Sequence, residues 1–332
     1  MIRRSWLRAW GVGVALLTSV SGSGAAQEVL KLGHVLAPTH QFHRGMELAA
    51  KELQAKTGGR VTMQVFPSSQ LGTERDMNVG VRSGTVDMVL ASPGGASVHL
   101  RDIAVLDAPY LFRDDAHWRK VVYGEIGDDW TKRAAETSNV HFVGWFHRGT
   151  RHVISKTKPY ATLADMRGQK IRVADFPPYP QVFRALGAVP TPIAFAEMYS
   201  ALESGIVDGA DVPLDTIPAM KLHEVTKFVN LVAWSYAAPG VIVMSDAAMK
   251  RVPAADRAAV RAAIRVGTDY IATEFETSEK SVREQIAKAG MTLVEPKDPE
   301  AWRKVAAEQA IPELARTWGG DAGLYKRIAE TR

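Results

Sequence analysis

The chain has 332 residues, 46% of them hydrophobic and 23% charged, with no cysteine and a formal net charge of +5. That is the composition of an ordinary soluble globular protein, long enough for two domains with their own cores. The absence of thiols excludes disulfides, thiol catalysis and iron–sulfur ligation.

Arg3, Arg4 and Arg8 precede an apolar run over 10–20 and a small-residue stretch, Ser21-Gly22-Ser23-Gly24-Ala25-Ala26. Basic, apolar and small segments in that order predict a cleaved export signal over 1–26 and an exported mature chain. The run is too short for a permanent membrane anchor, and Arg3-Arg4-Ser5-Trp6-Leu7-Arg8 also resembles a twin-arginine signal. Without those three arginines the charge falls to +2. The remaining basic residues are scattered without an aromatic stripe, which argues against nucleic acid as a partner.

From there the pattern predicts a strand over 29–35 and a helix from Pro38-Thr39 to about Lys56. A strand follows over 60–66, then a helix opened by Thr73 with Asp76 three residues on, and a strand over 86–90. This β-α-β-α-β order implies an α/β unit with a largely parallel sheet, whose ligands sit beyond the carboxyl ends of its strands. A polar helix over 114–137 and a strand over 140–146 lead to His147-Arg148-Gly149-Thr150-Arg151, a crossing into a second unit of the same grammar. Its expected strands are 151–155, 170–173, 189–193 and 206–209, with helices at 162–165, 179–186 and 195–204. Strands at 228–232 and 241–245 return the chain to the first unit. A single helix over 253–290, on the order of 50 Å long, braces both. A strand at 291–294 and two closing helices follow. The predicted division is 27–148 with 236–277 for one domain and 149–235 with 278–332 for the other, with a cleft between.

No catalytic constellation emerges. His223-Glu224 fails as a zinc-protease motif because Lys227 stands where the second histidine belongs, and no nucleophile elbow, phosphate loop or dinucleotide fingerprint occurs. His34, His40 and His43 lie close in sequence, and solvated helix histidines are favoured over a metal site. Arg172 is the oddest residue, a permanent charge inside the short strand Ile171-Arg172-Val173, where desolvation demands a partner. Together with Arg151 it forms a carboxylate fork, or each pairs with an internal acid such as Asp175, Glu197 or Asp211. Phe195, at a helix start, either stacks on a ligand or belongs to the core.

The segment Phe66-Pro67-Ser68-Ser69-Gln70-Leu71-Gly72-Thr73-Glu74-Arg75-Asp76-Met77 resembles the first signature block of the DctP-type solute-binding proteins of tripartite ATP-independent periplasmic (TRAP) transporters. Gly168 to Val173, Leu186-Gly187-Ala188-Val189-Pro190-Thr191-Pro192 with Phe195, Glu197 and Tyr199, and Val207-Asp208-Gly209 resemble its later blocks. The likeness runs from about Leu30 to at least Ala287. It implies a non-enzymatic binding protein of two α/β lobes that closes on a small organic acid and hands it to membrane permease subunits, with no cofactor or metal. By the same resemblance Arg172 salt-bridges the ligand carboxylate, Arg151 assists, Phe195 packs on the ligand, and Glu74 and His34 reach its distal end. Arg148 adds a further anion contact. One departure stands out. Where the family carries Gln-Glu-Asn-Pro this chain has Ala210-Asp211-Val212-Pro213, so Val212 replaces a ligand-bonding amide and Asp211 is left to pair with an arginine or read a hydroxyl. Two rivals share this outline: a sensor that docks on a receptor kinase, and an exported α/β enzyme.

Overall fold

The computed structural model describes residues 27–236, 239–317 and 322–332. The expected export signal over 1–26 lies outside them. Two mixed sheets form the cores of two lobes. The first contains β1 (Glu28–Gly33), β2 (Val61–Phe66), β3 (Met88–Ala91) and β4 (Val140–Phe146). The second contains β5 (Arg151–Ser155), β6 (Lys170–Val173), β7 (Val189–Pro192), β8 (Gly209–Pro213) and β9 (Phe228–Ser235). The chain then returns β10 (Gly240–Ser245) to the first sheet and sends β11 (Thr292–Val294) to the second. The orders are β2-β1-β3-β10-β4 and β11-β9-β5-β8-β6-β7.

Each sheet is parallel except for one strand. β10 runs antiparallel to both β3 and β4, and β5 runs antiparallel to both β8 and β9. These are the strands on which the chain lands at its first two crossings between lobes. The carboxyl ends of the parallel strands therefore face one another across the gap, together with the amino end of β5, which carries Arg151. That is where an open α/β sheet places its ligand.

Local sequence accounts for most boundaries. Thr73 and Asp76 form a reciprocal capping box at the start of the helix Glu74–Ser83, and Gly84 ends it in the left-handed region (φ 81°). Two expectations are corrected. The helix expected over 114–137 is two, Asp115–Val122 and Glu125–Ser138, because Gly124 turns extended and becomes the cap of the second. The strand expected over 206–209 begins only at Gly209 and continues through Asp211. Ile206 is instead an exposed turn residue after Gly205, whose φ is 76°. A carboxylate sits in that interior strand because its charge is matched by Arg151 on neighbouring β5.

The long helix spans Arg257–Lys288, 32 residues, or about 48 Å at 1.5 Å per residue. Its first half packs Val260, Ile264 and Ile271 into the first lobe, and Ile286 near its end belongs to the second lobe's core. It lies against the helix Gln41–Lys56, and the closest approach is at two glycines. A Cβ on Gly45 would meet the Gly267 carbonyl oxygen at 2.7 Å, and one on Gly267 would collide with the Gly45 carbonyl. A third apolar cluster joins the lobes, with Trp118 and Trp145 from the first, Tyr179, Phe183 and Trp234 from the second, and Trp302 and Ile328 from the chain's end. That end is bound back onto the first lobe, where His117 Nε2 contacts the Ile328 carbonyl at 2.8 Å.

The crossing supplies a test. Gly267→Ala gains about 1 kcal/mol of helix propensity, but its methyl group meets backbone that cannot swing aside. Overpacking of this kind costs roughly 1–3 kcal/mol, so the variant's urea midpoint is expected to fall below that of the parent. An unchanged or higher midpoint would show that the two helices separate freely.

Candidate functional site

A cavity of about 190 Å³ opens between the lobes. The first lobe lines it with Leu36, His40, Phe42, Glu74, Ser92 and Phe146, and the second with Arg151, Arg172, Phe176, Phe195, Asp211 and Val212. Apolar walls with a few converging polar groups are what a small-molecule site requires.

Arg172 stands on β6, paired in register with Thr191 on β7 and Ala210 on β8. It is 3% exposed. Its Nε donates to the Ile193 carbonyl at 3.0 Å, and among the described residues no carboxylate lies within ion-pair distance. Burial pulls its pKa down to about 10; the field of Asp211 opposes this and that of Arg151 adds to it. The protein thus holds a guanidinium where its charge is disfavoured and leaves most of its donors facing the cavity.

The other arginines are matched internally. Arg151 forks onto Asp211, with Nη2 to Oδ2 at 2.6 Å and Nε to both carboxylate oxygens at 3.1 Å. Trp234 Nε1 donates to the same carboxylate at 2.8 Å, and the Arg151 guanidinium lies over the Tyr179 ring. Arg148 donates to Asp107 Oδ1 at 2.9 Å and to the Tyr179 hydroxyl at 2.9 Å, and that hydroxyl donates on to Asp107 at 3.0 Å. The network fixes both guanidiniums and raises the pKa of Arg151 and Arg148 through those acidic neighbours, against the opposing effect of burial.

Glu74 is the counterpart on the first lobe. Its Oε1 accepts the backbone N–H and the hydroxyl of Ser92, both at 2.6 Å. Burial raises its pKa; the Ser92 donors and Arg148 pull the other way. No lysine or arginine among the described residues lies within ion-pair distance of it.

Of the residues expected from sequence, Arg172, Arg151, Arg148, Glu74, Phe195, Asp211 and Val212 line the cavity, and His34 does not. His34 is fully buried within the first lobe. Its Nδ1 accepts the Leu36 N–H, and its Nε2 meets His43 Nδ1 at 3.2 Å. Burial and the neighbouring histidines hold its pKa down near 3. His40 is also buried rather than solvated: it caps the helix Gln41–Lys56, and its Nε2 contacts Asp215 Oδ2 at 2.7 Å. No group of histidines and acids among the described residues is arranged to hold a metal ion. Phe195 packs against the cores of both lobes.

Two inter-lobe contacts had no marker in the sequence. Gln41 joins His40 on Asp215, donating at 2.5 Å, so two first-lobe side chains hold one second-lobe carboxylate. On the other side of the cavity Arg75 pairs with Asp175 at 3.0 Å, donates to its carbonyl, and lies over the Phe176 ring. His40 and Arg75 each sit at a helix start, and nothing in their spacing announces a partner more than 90 residues away.

The family model of bacterial extracellular solute-binding protein family 7, DctP, matches residues 32–314. The chain is similar to the 2,3-diketo-L-gulonate-binding periplasmic protein YiaO of Escherichia coli, with 29% identity over 96% of this chain and 97% of that one. It is also similar to the crystal structure of a TRAP periplasmic solute-binding protein from Roseobacter denitrificans with bound L-galactonate, with a TM-score of 0.85, 29% identity, and coverage of 91% and 99% of the two chains. A further TRAP solute-binding protein, from Polaromonas sp. JS666 and bound to D-erythronate, gives 0.86 and 30%, with 92% and 99% covered.

Glu74 and Arg172 each predict a stability effect without any ligand. Glu74 binds its proton more tightly in the folded state than its ordinary value of 4.5. Its favourable contribution is therefore complete below that value and is lost as the pH rises. Glu74→Gln should gain in thermal midpoint over the parent on going from pH 4.5 to pH 7; a difference that does not vary with pH would refute the assignment. Arg172, with its pKa lowered to about 10, carries its full penalty at neutral pH. Arg172→Met is expected to stabilise the ligand-free protein by roughly 1–3 kcal/mol in denaturant melts, and a loss of stability would count against an unmatched charge.

Proposed function

This chain belongs to the DctP family of bacterial extracellular solute-binding proteins, and on that premise we propose that it captures a small organic acid between its lobes and delivers it to the membrane subunits of a TRAP transporter. The observation that carries the reading is Arg172, a buried guanidinium with a backbone carbonyl for a partner and no carboxylate within ion-pair distance among the described residues. A ligand carboxylate supplies two parallel acceptors to such a fork and removes the desolvation penalty in the same step.

The remaining ligand contacts follow from the wall of the cavity. Phe195 offers an apolar face, Val212 keeps the neighbourhood of the carboxylate dry, and Glu74 faces the ligand from the first lobe. Arg151 and Arg148, fixed by Asp211 and Asp107, shape the positive end and lend field more than direct bonds. His34 is left out of the set. Asp215, held by His40 and Gln41, and Asp175, held by Arg75, act as the contacts that close the lobes on the ligand.

The family is periplasmic, and we infer that residues 1–26 direct the export. We place the division of the lobes at 27–148 with 236–277 against 149–235 with 278–332, the end of the chain serving as a strap between them. The role is capture and transfer, without chemistry on the ligand.

Thermal shift against a panel of organic acids tests the reading. A ligand at about 100 times its Kd adds about 2.7 kcal/mol of stability, so at least one acid should raise the melting temperature of the parent and leave Arg172→Met unmoved. Equal shifts in parent and variant, or no shift with any acid, would overturn it.

A further inference from the structure

Four arginines line the cavity, but three are already neutralised. Arg75 pairs with Asp175, Arg148 with Asp107 and Arg151 with Asp211. Among the described residues that line it, Arg172 is therefore the one arginine whose charge is left to a ligand. On the opposing lobe Glu74 is a carboxyl with no cation within ion-pair distance among the described residues, served on Oε1 by the two Ser92 donors. The cavity is thus polarised, with a single unmatched cation on one lobe and an unmatched acid on the other. Closing the lobes moves both out of water, where a like-charge contact is expensive and an unpaired donor or acceptor is penalised.

Resting on the carboxylate reading above, we propose that the cleft selects hydroxylated monocarboxylates and rejects acids that carry a second carboxylate, and that Asp211 and Glu74 set this selectivity. A monoanion places its carboxylate on Arg172 and turns a hydroxyl toward Glu74, which accepts its proton in a hydrogen bond. A dianion of the same length brings its second carboxylate against Glu74, and among the described residues lining the cavity no unpaired arginine stands on that lobe to compensate. Asp211 makes the rejection possible from the other end. By occupying the fork of Arg151 it removes the second guanidinium that a dianion would otherwise use. Selectivity of this kind comes from an unfavourable contact built against the wrong ligand, as well as from a favourable one to the right ligand.

Isothermal titration with matched pairs tests the proposal: D-erythronate with meso-tartrate, L-galactonate with galactarate, and D-gluconate with glucarate. Within a pair the only change is oxidation of a terminal CH₂OH to a carboxylate. The parent should bind a monocarboxylate of at least one pair, and its dicarboxylate partner about tenfold or more weakly. Glu74→Gln keeps the shape and the acceptor toward Ser92, and should narrow that ratio by about tenfold. Asp211→Asn, which releases the charge of Arg151, should narrow it as well. A variant that merely loosened the fold would weaken both members of a pair and leave the ratio alone. Dicarboxylates bound as tightly as their partners by the parent, or ratios unmoved in both variants, would overturn the selectivity. Silence from every pair, with Arg172-dependent binding of an acid that lacks hydroxyls such as benzoate, would overturn it too, while leaving carboxylate capture standing.

Discussion

The structure depends on the desolvation of one guanidinium. Arg172 is held in a short strand by apolar neighbours on either side, and the fold gives it a carbonyl in place of an acid. Buried charges are otherwise paired, because an isolated one costs several kcal/mol even after relaxation. The other two buried cavity arginines obey that rule, Arg148 with Asp107 and Arg151 with Asp211, and the exposed Arg75 pairs with Asp175. The exception shows how the protein divides its labour. Two buried ion pairs, Arg148–Asp107 and Arg151–Asp211, fix side chains around the cavity, Arg75–Asp175 ties the lobes together beside it, and the fourth cation is left with its donors available to what enters the cleft.

Rigidity on the second lobe is matched by polar docking between lobes. The cavity is flanked by His40 and Gln41 on Asp215 to one side and by Arg75 on Asp175 to the other. Neither set is apolar, so separating the lobes there exposes groups that water satisfies well. The apolar connection is a separate cluster that contains Tyr179, Phe183 and Trp234 of the second lobe with Trp118, Trp130 and Trp145 of the first.

Much of this was legible in the sequence, and the reason differs from element to element. Strands β4, β5 and β6 stand where their apolar patterns put them, and Thr73 with Asp76 announced its helix through local hydrogen bonding alone. Arg172 could be singled out because a charge in the middle of a buried strand breaks a local rule. The shift of β8 was not legible: Asp211 reads as a strand breaker until Arg151, 60 residues earlier, neutralises it. The same holds for Asp215 and Asp107, whose partners come from other elements. His40 escaped for a different reason, since histidine is an uncommon helix cap and its burial depends on a carboxylate 175 positions away. Periodicity reports which face of an element is apolar; it carries no information on which distant acid meets which base.

The placement of β10 bears on how the protein reaches its folded state. This strand lies inside the first sheet, between β3 and β4, yet it is made of residues 240–245 of 332. A chain that ends before Gly240 has β2-β1-β3 on one side and a lone β4 on the other, with no strand to join them. The helix that covers Gly45 comes later still. The amino-terminal lobe therefore cannot complete its sheet as it emerges, and its folding is deferred until most of the polypeptide is present. Such long-range pairing slows folding. For a member of a periplasmic family, slow folding of this kind prolongs the interval between synthesis and a closed amino-terminal lobe.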